Sequence, residues 1–488
     1  MNRRTLIWLG LLLVGWHGQA AAQSLERQLL TLEQVVSMAQ ANSPEAKRAV
    51  TTKENRYWNY QAFRANYLPS LSLSGQLPNL NRTITSIPQD DGTQQFVETS
   101  TANSSLNLSL SQNVGLTGGQ ISISSQLQRI DNFGDVSSVS YQSSPALINY
   151  TQPLFAFNEL RWDRKIEPLL YEESQREYIE SMETVAQQAT DQFFSLLVAQ
   201  KNFEIARKNL NNNDTLYQIA QGRYNLGKIA ENDLLQMELS VMNARNNLAQ
   251  AELDIDLANL NLAIFLGLTG EEQLVLLPPE SYPNFEVDEA AALSYAQKFR
   301  KDVVQFDRQL LEAERSVAQA RGQTGLNANL NASFGLTNTA SSFGDIYRDP
   351  TDQQGLLVGF SIPILDWGAS RSQVRTAVAN RDLTRLDVQQ QRQNFRQEVI
   401  LLAKQFRMQR TRLLIAAKAD TIAQKRYDIS KKRYKVGKID ILDLNVALEE
   451  KDRAKRDYLG ALQTFWSIYY ELRRKTLYDF ERKQPITY

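Results

Sequence analysis

RYNLGKIAENDLL, residues 223–235, returns as RYKVGKIDILDLN at residues 433–445, an offset of 210. The same offset lays Thr151-Gln152-Pro153-Leu154-Phe155 on Ser361-Ile362-Pro363-Ile364-Leu365. Nearer the N-terminus the offset is 257: Leu71-Ser72-Leu73-Ser74 falls on Ala328-Asn329-Leu330-Asn331, and Ala39-Gln40 on Ala296-Gln297. Self-similarity of this kind marks a duplicated structural unit. The chain reads as two copies, 23–270 and 271–476, with a tail at 477–488. The first copy holds the 47 residues by which the two offsets differ, between Leu73 and Pro153.

Upstream of the second quoted stretch an apolar stripe advances in alternating steps of four and three. It runs Phe395, Val399, Leu402, Phe406, Gln409, Leu413, Ala416, Asp420, Ala423, Tyr427, Ser430, Tyr434. The first copy repeats it from Val185 and Ala189 through Leu196, Phe203 and Tyr217 to Tyr224. A sustained period of about 3.5 residues predicts coiled-coil packing of long helices. Only Pro168 interrupts the spans from about 160 to 224 and from about 370 to 434. Roughly 65 residues at about 1.5 Å rise make a rod of about 100 Å. Gly227 and Gly437 end the rods with the residue a left-handed C-terminal turn favours. A second helix returns over about 231–266 and 440–475, which gives long hairpins at about 158–268 and 368–475.

Between the helices the period changes to two. Residues 68–77, 104–114, 121–130 and 146–155 alternate apolar with small polar residues, as do 326–336 and 356–365 in the second copy. Leu106, Leu108 and Leu110 against Asn107, Ser109 and Ser111 is the clearest case. Strands of about ten residues with one apolar and one Ser/Asn face suit the wall of a membrane barrel. A soluble antiparallel sandwich would use the same alternation.

Composition narrows the function. Among 488 residues there are 54 Lys+Arg, 54 Asp+Glu, no Cys and one His. His17 lies in a stretch that reads as an export signal over 1–22: Arg3 and Arg4, the apolar run Leu6–Trp16, then Ala20-Ala21-Ala22. Its removal would leave 52 basic and 54 acidic groups and neither His nor Cys. Thiol chemistry, Cys/His metal sites, disulfides and His-based acid–base catalysis then lack their residues. A near-neutral chain lacks the basic excess of a nucleic-acid protein. Beyond the signal no stretch reaches the roughly 18 apolar residues of a spanning helix. The expectation is a protein that is no enzyme, needs no cofactor and binds neither metal nor nucleic acid. A carboxylate hydrolase remains compatible with composition alone, but no paired-carboxylate constellation stands outside the turns.

Taken in order along the chain, these segments resemble the TolC family of outer-membrane efflux channels. The resemblance is carried by Tyr67-Leu68-Pro69-Ser70-Leu71, Gln152-Pro153-Leu154-Phe155, Ile362-Pro363-Ile364-Leu365-Asp366-Trp367-Gly368 and the two Arg-Tyr-x-x-Gly-Lys turns. Two places depart from the family pattern. Arg300-Lys301-Asp302-Val303 stands for its Arg-Pro-Asp-Leu, and Phe157-Asn158-Glu159 lacks the Asp and Gly seen at Asp366 and Gly368. The resemblance implies a membrane β-barrel continued by a long α-helical coiled-coil tunnel, two repeats per chain, closed as a trimeric α/β barrel. It implies a homotrimer of twelve strands in outer-membrane lipid, extending into the periplasm. Its partners would be a periplasmic adaptor and an inner-membrane transporter, for which it is the passive exit duct of efflux or type I secretion. The extra residues are expected as a hairpin on the barrel or its rim, with its turn at Gly115–Gly119.

The resemblance also assigns roles at the turns. Asp233 and Asp443, six residues beyond each Gly, would line the tunnel constriction, with Asp440 and Glu231 as neighbouring candidates. Rings of acids attract cations; the plainer reading is a favourable charge in a helix's first turn. Arg223, Tyr224, Gly227, Arg433, Tyr434 and Gly437 would face the adaptor, although both Tyr also serve as last stripe positions. Phe465, Trp466, Tyr469 and Tyr470 are expected to pack in a belt with residues 271–298 and the tail. A periplasmic coiled-coil adaptor without a barrel is the competing reading; the duplicated hairpins and strands oppose it.

Overall fold

The structure is a computed structural model and describes residues 28–133, 137–269, 272–279 and 281–488. The export signal expected at 1–22 lies outside the described residues, as does Glu271 at the head of the expected belt. The first repeat comprises β1 (Gln28–Leu30), α1 (Leu32–Asn42), α2 (Pro44–Ala65), β2 (Ser70–Pro88), β3 (Gln94–Val114), β4 (Gly119–Phe133), β5 (Ser138–Leu154), α3 (Glu159–Asn225) and α4 (Glu231–Phe265). Then follow β6 (Leu274–Leu276), α5 (Glu289–Phe299), α6 (Lys301–Gln323), β7 (Asn327–Ala340), β8 (Thr351–Ser361), α7 (Ala369–Lys435), α8 (Ile441–Thr476), β9 (Tyr478–Asp479) and β10 (Gln484–Pro485).

Both rods are present: α3 and α7 have 67 residues each, with Pro168 inside α3. Every stripe residue of α7 is buried or half-buried, and of the α3 stripe only Tyr224 is exposed. The stripe is therefore the packing seam. Of its polar members Gln409 is buried, and its amide donates to the Ala461 carbonyl at 3.1 Å, which satisfies it inside the seam. Among the described residues no helix is long and apolar enough to cross a membrane.

The chain divides into two compact units. One comprises residues up to 44, 188–282 and 423–459. There β1 pairs in parallel with β6. The Gln200 side chain holds β6 by donating to the Leu274 carbonyl at 2.7 Å and accepting from the Leu276 amide at 3.1 Å. The other unit comprises 45–187, 283–422 and 460–488. Its aromatic core joins Phe406, Phe465 and Tyr469 with Phe285, as expected of side chains at helical spacing. The tail joins the same unit, Tyr478 stacking on Tyr295 at 3.8 Å between ring centroids.

All long strands of the second unit form one antiparallel sheet in the order β2-β3-β4-β5-β7-β8. They run 11–21 residues, longer than the ten the alternation suggested. The turn after Val114 falls where expected. The surplus residues form β3 and β4, which are internal strands and not a rim. The sheet thus has six strands, not the four a twelve-stranded trimer would draw from each chain. Register carries Leu71, Leu110, Ile123, Ile148 and Phe334 into one row. On the same face β8 offers Leu356, Val358 and Phe360. These side chains are exposed, whereas Ser109, Ser122 and Asn149 share the opposite face.

Candidate functional site

Each long helix runs from a strand end to a Gly turn, and the two turns have the same hydrogen bonds. Gly227 takes φ 69° and Gly437 φ 73°. The Gly227 amide donates to Tyr224 O at 2.8 Å and the Lys228 amide to Arg223 O at 2.9 Å. Gly437 and Lys438 repeat this on Tyr434 and Arg433 at 2.9 and 3.0 Å. This is the Schellman closure, which needs a left-handed residue at the turn. A Cβ on either Gly would meet nothing within 4 Å, so the cost of a side chain there is conformational. Gly227→Ala should therefore lower stability by about 1 kcal/mol, seen as a small fall in melting temperature.

Beyond the turns the two repeats diverge. Asp440 precedes α8, and its Oδ1 accepts the Asp443 amide at 2.8 Å, the bond of a helix N-cap. In the first repeat Ala230 holds that position and makes no side-chain cap. Asp233 and Asp443 both lie in the first turn of their helices, Asp233 half-buried and Asp443 exposed. Asp440 is thus engaged as a cap, while Asp443 keeps its carboxylate in solvent.

Tyr434 and its repeat partner Tyr224 also part company. Tyr434 is buried with Tyr427 and Leu444, against Leu216, Ile439, Ile441 and Leu448. Tyr224 is exposed. The Arg223 guanidinium lies over the Tyr434 ring, 5.5 Å from its centroid. Burial raises the Tyr434 hydroxyl above the ordinary tyrosine value, Arg223 opposes the rise and Asp233 adds to it. Folding therefore brings Arg223, Tyr434 and Asp233 together from the ends of α3, α7 and α4. Arg433, Gly227 and Gly437 stay at the surface. Of the basic run before the second turn, Lys431 donates to Asn212 Oδ1 at 3.0 Å while Lys432 and Arg433 remain exposed. Deeper in this unit Lys451 pairs with Asp452 at 2.8 Å. Asp452 also accepts from the Asn209 amide at 2.6 Å.

Sequence reasoning passed over a second set of apolar positions. On α4, Leu235, Leu239, Met242, Leu253, Leu257, Leu260 and Ile264 are exposed. On α7, Leu401, Met408, Ile415, Ile422 and Ile429 recur every seven residues and are exposed. Their spacing was the available signal, a heptad beside the buried stripe. Among the described residues no group of His, Cys, Asp and Glu could hold a metal ion.

The second unit thus carries a six-stranded sheet with one apolar face, and the long helices α3 and α7 each end in a Gly turn. The sequence matches the outer membrane efflux protein family over residues 35–268 and 292–474, and the chain belongs to that family. Such proteins are exit ducts in the outer membrane, and the reading as a barrel-less adaptor finds no support. The fold is similar to the crystal structure of the Campylobacter jejuni CmeC outer membrane channel, at TM-score 0.66 and 16% identity over 91% of this chain and 85% of that one. It is also similar to the outer membrane protein VceC of Vibrio cholerae, at TM-score 0.64 and 14% identity over 91% and 95%. The open state of the Neisseria gonorrhoeae MtrE channel gives TM-score 0.60 and 16% identity over 91% and 88%. No curated protein sequence matches the chain.

Proposed function

We propose that three copies of this chain form the outer-membrane duct of a tripartite efflux or type I secretion system. A periplasmic adaptor would meet the Gly turns, and an inner-membrane transporter would supply the cargo. The observation that carries the ring is the pair of uncovered stripes on α4 and α7. A helix with one seam buried and a second apolar seam open needs a neighbour on each side, and a closed ring provides both. The exposed apolar sheet face is suited to lipid by the same reasoning. Passage through such a tube requires no reactive side chain.

The expected behaviour is extraction from outer-membrane fractions only by detergent, as a trimer that opens a conductance in planar bilayers. A soluble, non-conducting monomer would refute the reading. The acids past the turns supply the selective step. Asp443, exposed, and Asp233, beside Tyr434, would each form a ring of three at the periplasmic end. The double change Asp233→Ala, Asp443→Ala should raise single-channel conductance or relieve block by divalent cations. Unchanged current and block would leave both as ordinary first-turn charges. Asp440→Ala should instead reduce stability by about 1 kcal/mol through loss of its cap, with little change in current.

A further inference from the structure

We propose that each chain gives all six strands of its sheet to the membrane wall, so that three copies of the six-stranded sheet close an eighteen-stranded barrel. The closure pairs the β2 edge of one copy with the β8 edge of the next. The proposal rests on the trimeric duct proposed above and concerns its wall.

The first observation is where the surplus residues went. The repeat offsets carry the start of β2 onto the start of β7, and Thr151 near the end of β5 onto Ser361 at the end of β8. In the second repeat those strands are direct neighbours, Ala328 opposite Phe360. In the first they are not, because β3 and β4 lie between β2 and β5 and are paired on both sides. The hairpin has entered the sheet. Its turn is anchored there too: the Asn158 amide donates to Gly115 O and Leu116 O, each at 3.1 Å, and the Gln152 amide to Thr117 O at 2.9 Å.

The second observation is the face. Leu108 of β3 stands opposite Leu73, and Ile123 of β4 opposite both Leu110 and Ile148. These side chains are exposed, on the same face as the apolar residues of the other four strands. A hairpin resting in the lumen or above the bilayer would have no use for such a face. Asn107 and Ser122 lie on the opposite, polar face, the one that would line water.

The edges complete the case. Among the described residues β2 pairs only with β3, and β8 only with β7. Hydrocarbon does not tolerate an open edge, so each needs another strand. Directions alternate across the sheet and six is even, so β8 and β2 run oppositely. The β8 edge of one copy therefore meets the β2 edge of a second copy antiparallel, and the same step repeated closes a ring. With strands about 4.8 Å apart and tilted about 40°, eighteen enclose a cylinder about 35 Å across, against about 24 Å for twelve. The membrane section is then half as wide again, and the limit on cargo size passes to the helical tunnel.

The chain has no Cys, so single introduced thiols report their own positions. In proteoliposomes of the full chain, Leu108→Cys and Ile123→Cys should resist a water-soluble maleimide, while Asn107→Cys and Ser122→Cys react. Electron cryo-microscopy of the same particles should count eighteen strands about a threefold axis. Equal labelling of Leu108→Cys and Asn107→Cys, or a ring of twelve with β3 and β4 outside it, overturns the strand count and leaves the trimeric duct standing. A particle that is not trimeric, or does not enter the bilayer, overturns both.

Discussion

Arg473→Met is expected to cost about 3–5 kcal/mol of stability, the usual consequence of removing one partner of a buried ion pair. Glu183 is fully buried. Arg473 meets it bidentately, Nε to Oε2 at 2.9 Å and Nη2 to Oε1 at 2.9 Å. The remaining Nη1 pairs with Asp479, and the Tyr488 hydroxyl reaches Glu183 Oε1 at 2.5 Å. Burial works against the guanidinium's charge, but Glu183 outweighs it and holds the Arg473 pKa above the ordinary arginine value. The substitution strands the Glu183 carboxylate in the core without its guanidinium, the Tyr488 hydroxyl still beside it. Thermal unfolding of the detergent-solubilised protein measures the loss. The double change Arg473→Met, Glu183→Gln removes both charges and should recover much of it. If the double variant melts no higher than the single one, the cost is lost packing and not an uncompensated charge.

In the barrel proposed above, Leu108→Arg is the second large effect, expected to disfavour the inserted, assembled state by about 2–4 kcal/mol, the cost of Arg on the lipid face of a barrel near the bilayer midplane. Leu108 is exposed on the apolar face, directly across from Leu73. Its neighbour Asn107 faces the other way, so Asn107→Arg should insert normally and alter only the conductance. The yield of trimer in outer-membrane fractions separates the two. Equal yields would mean that neither face of β3 touches lipid.

The turns and rods were legible because their causes are local. An unbroken alternation of four and three steps can satisfy its backbone only as helix, and Gly227 and Gly437 mark where that helix must reverse. Strand alternation was equally visible, since side chains point to opposite faces at every step. The seven-residue recurrence of Leu401, Met408, Ile415, Ile422 and Ile429 was also in the sequence. It went unread because the buried stripe already accounted for the helix. At the candidate site the residue types were legible and their division of labour was not. Nothing in two copies of Arg-Tyr-x-x-Gly-Lys says that Tyr434 is buried under Arg223 while Tyr224 stays exposed.

By itself the sequence determined the duplication, the helix lengths, the Gly turns and the apolar face of each strand, all of which follow from short-range periodicity and backbone sterics. Tertiary structure alone decided which strands are neighbours, and so that the added hairpin widens the sheet. It alone placed Arg473 on Glu183, 290 positions away, and made Asp440 a cap while Asp443 stayed free. Strand pairing and buried ion pairs join residues whose separation along the chain carries no periodic trace. They are fixed only when packing, register and the satisfaction of buried polar groups are solved together.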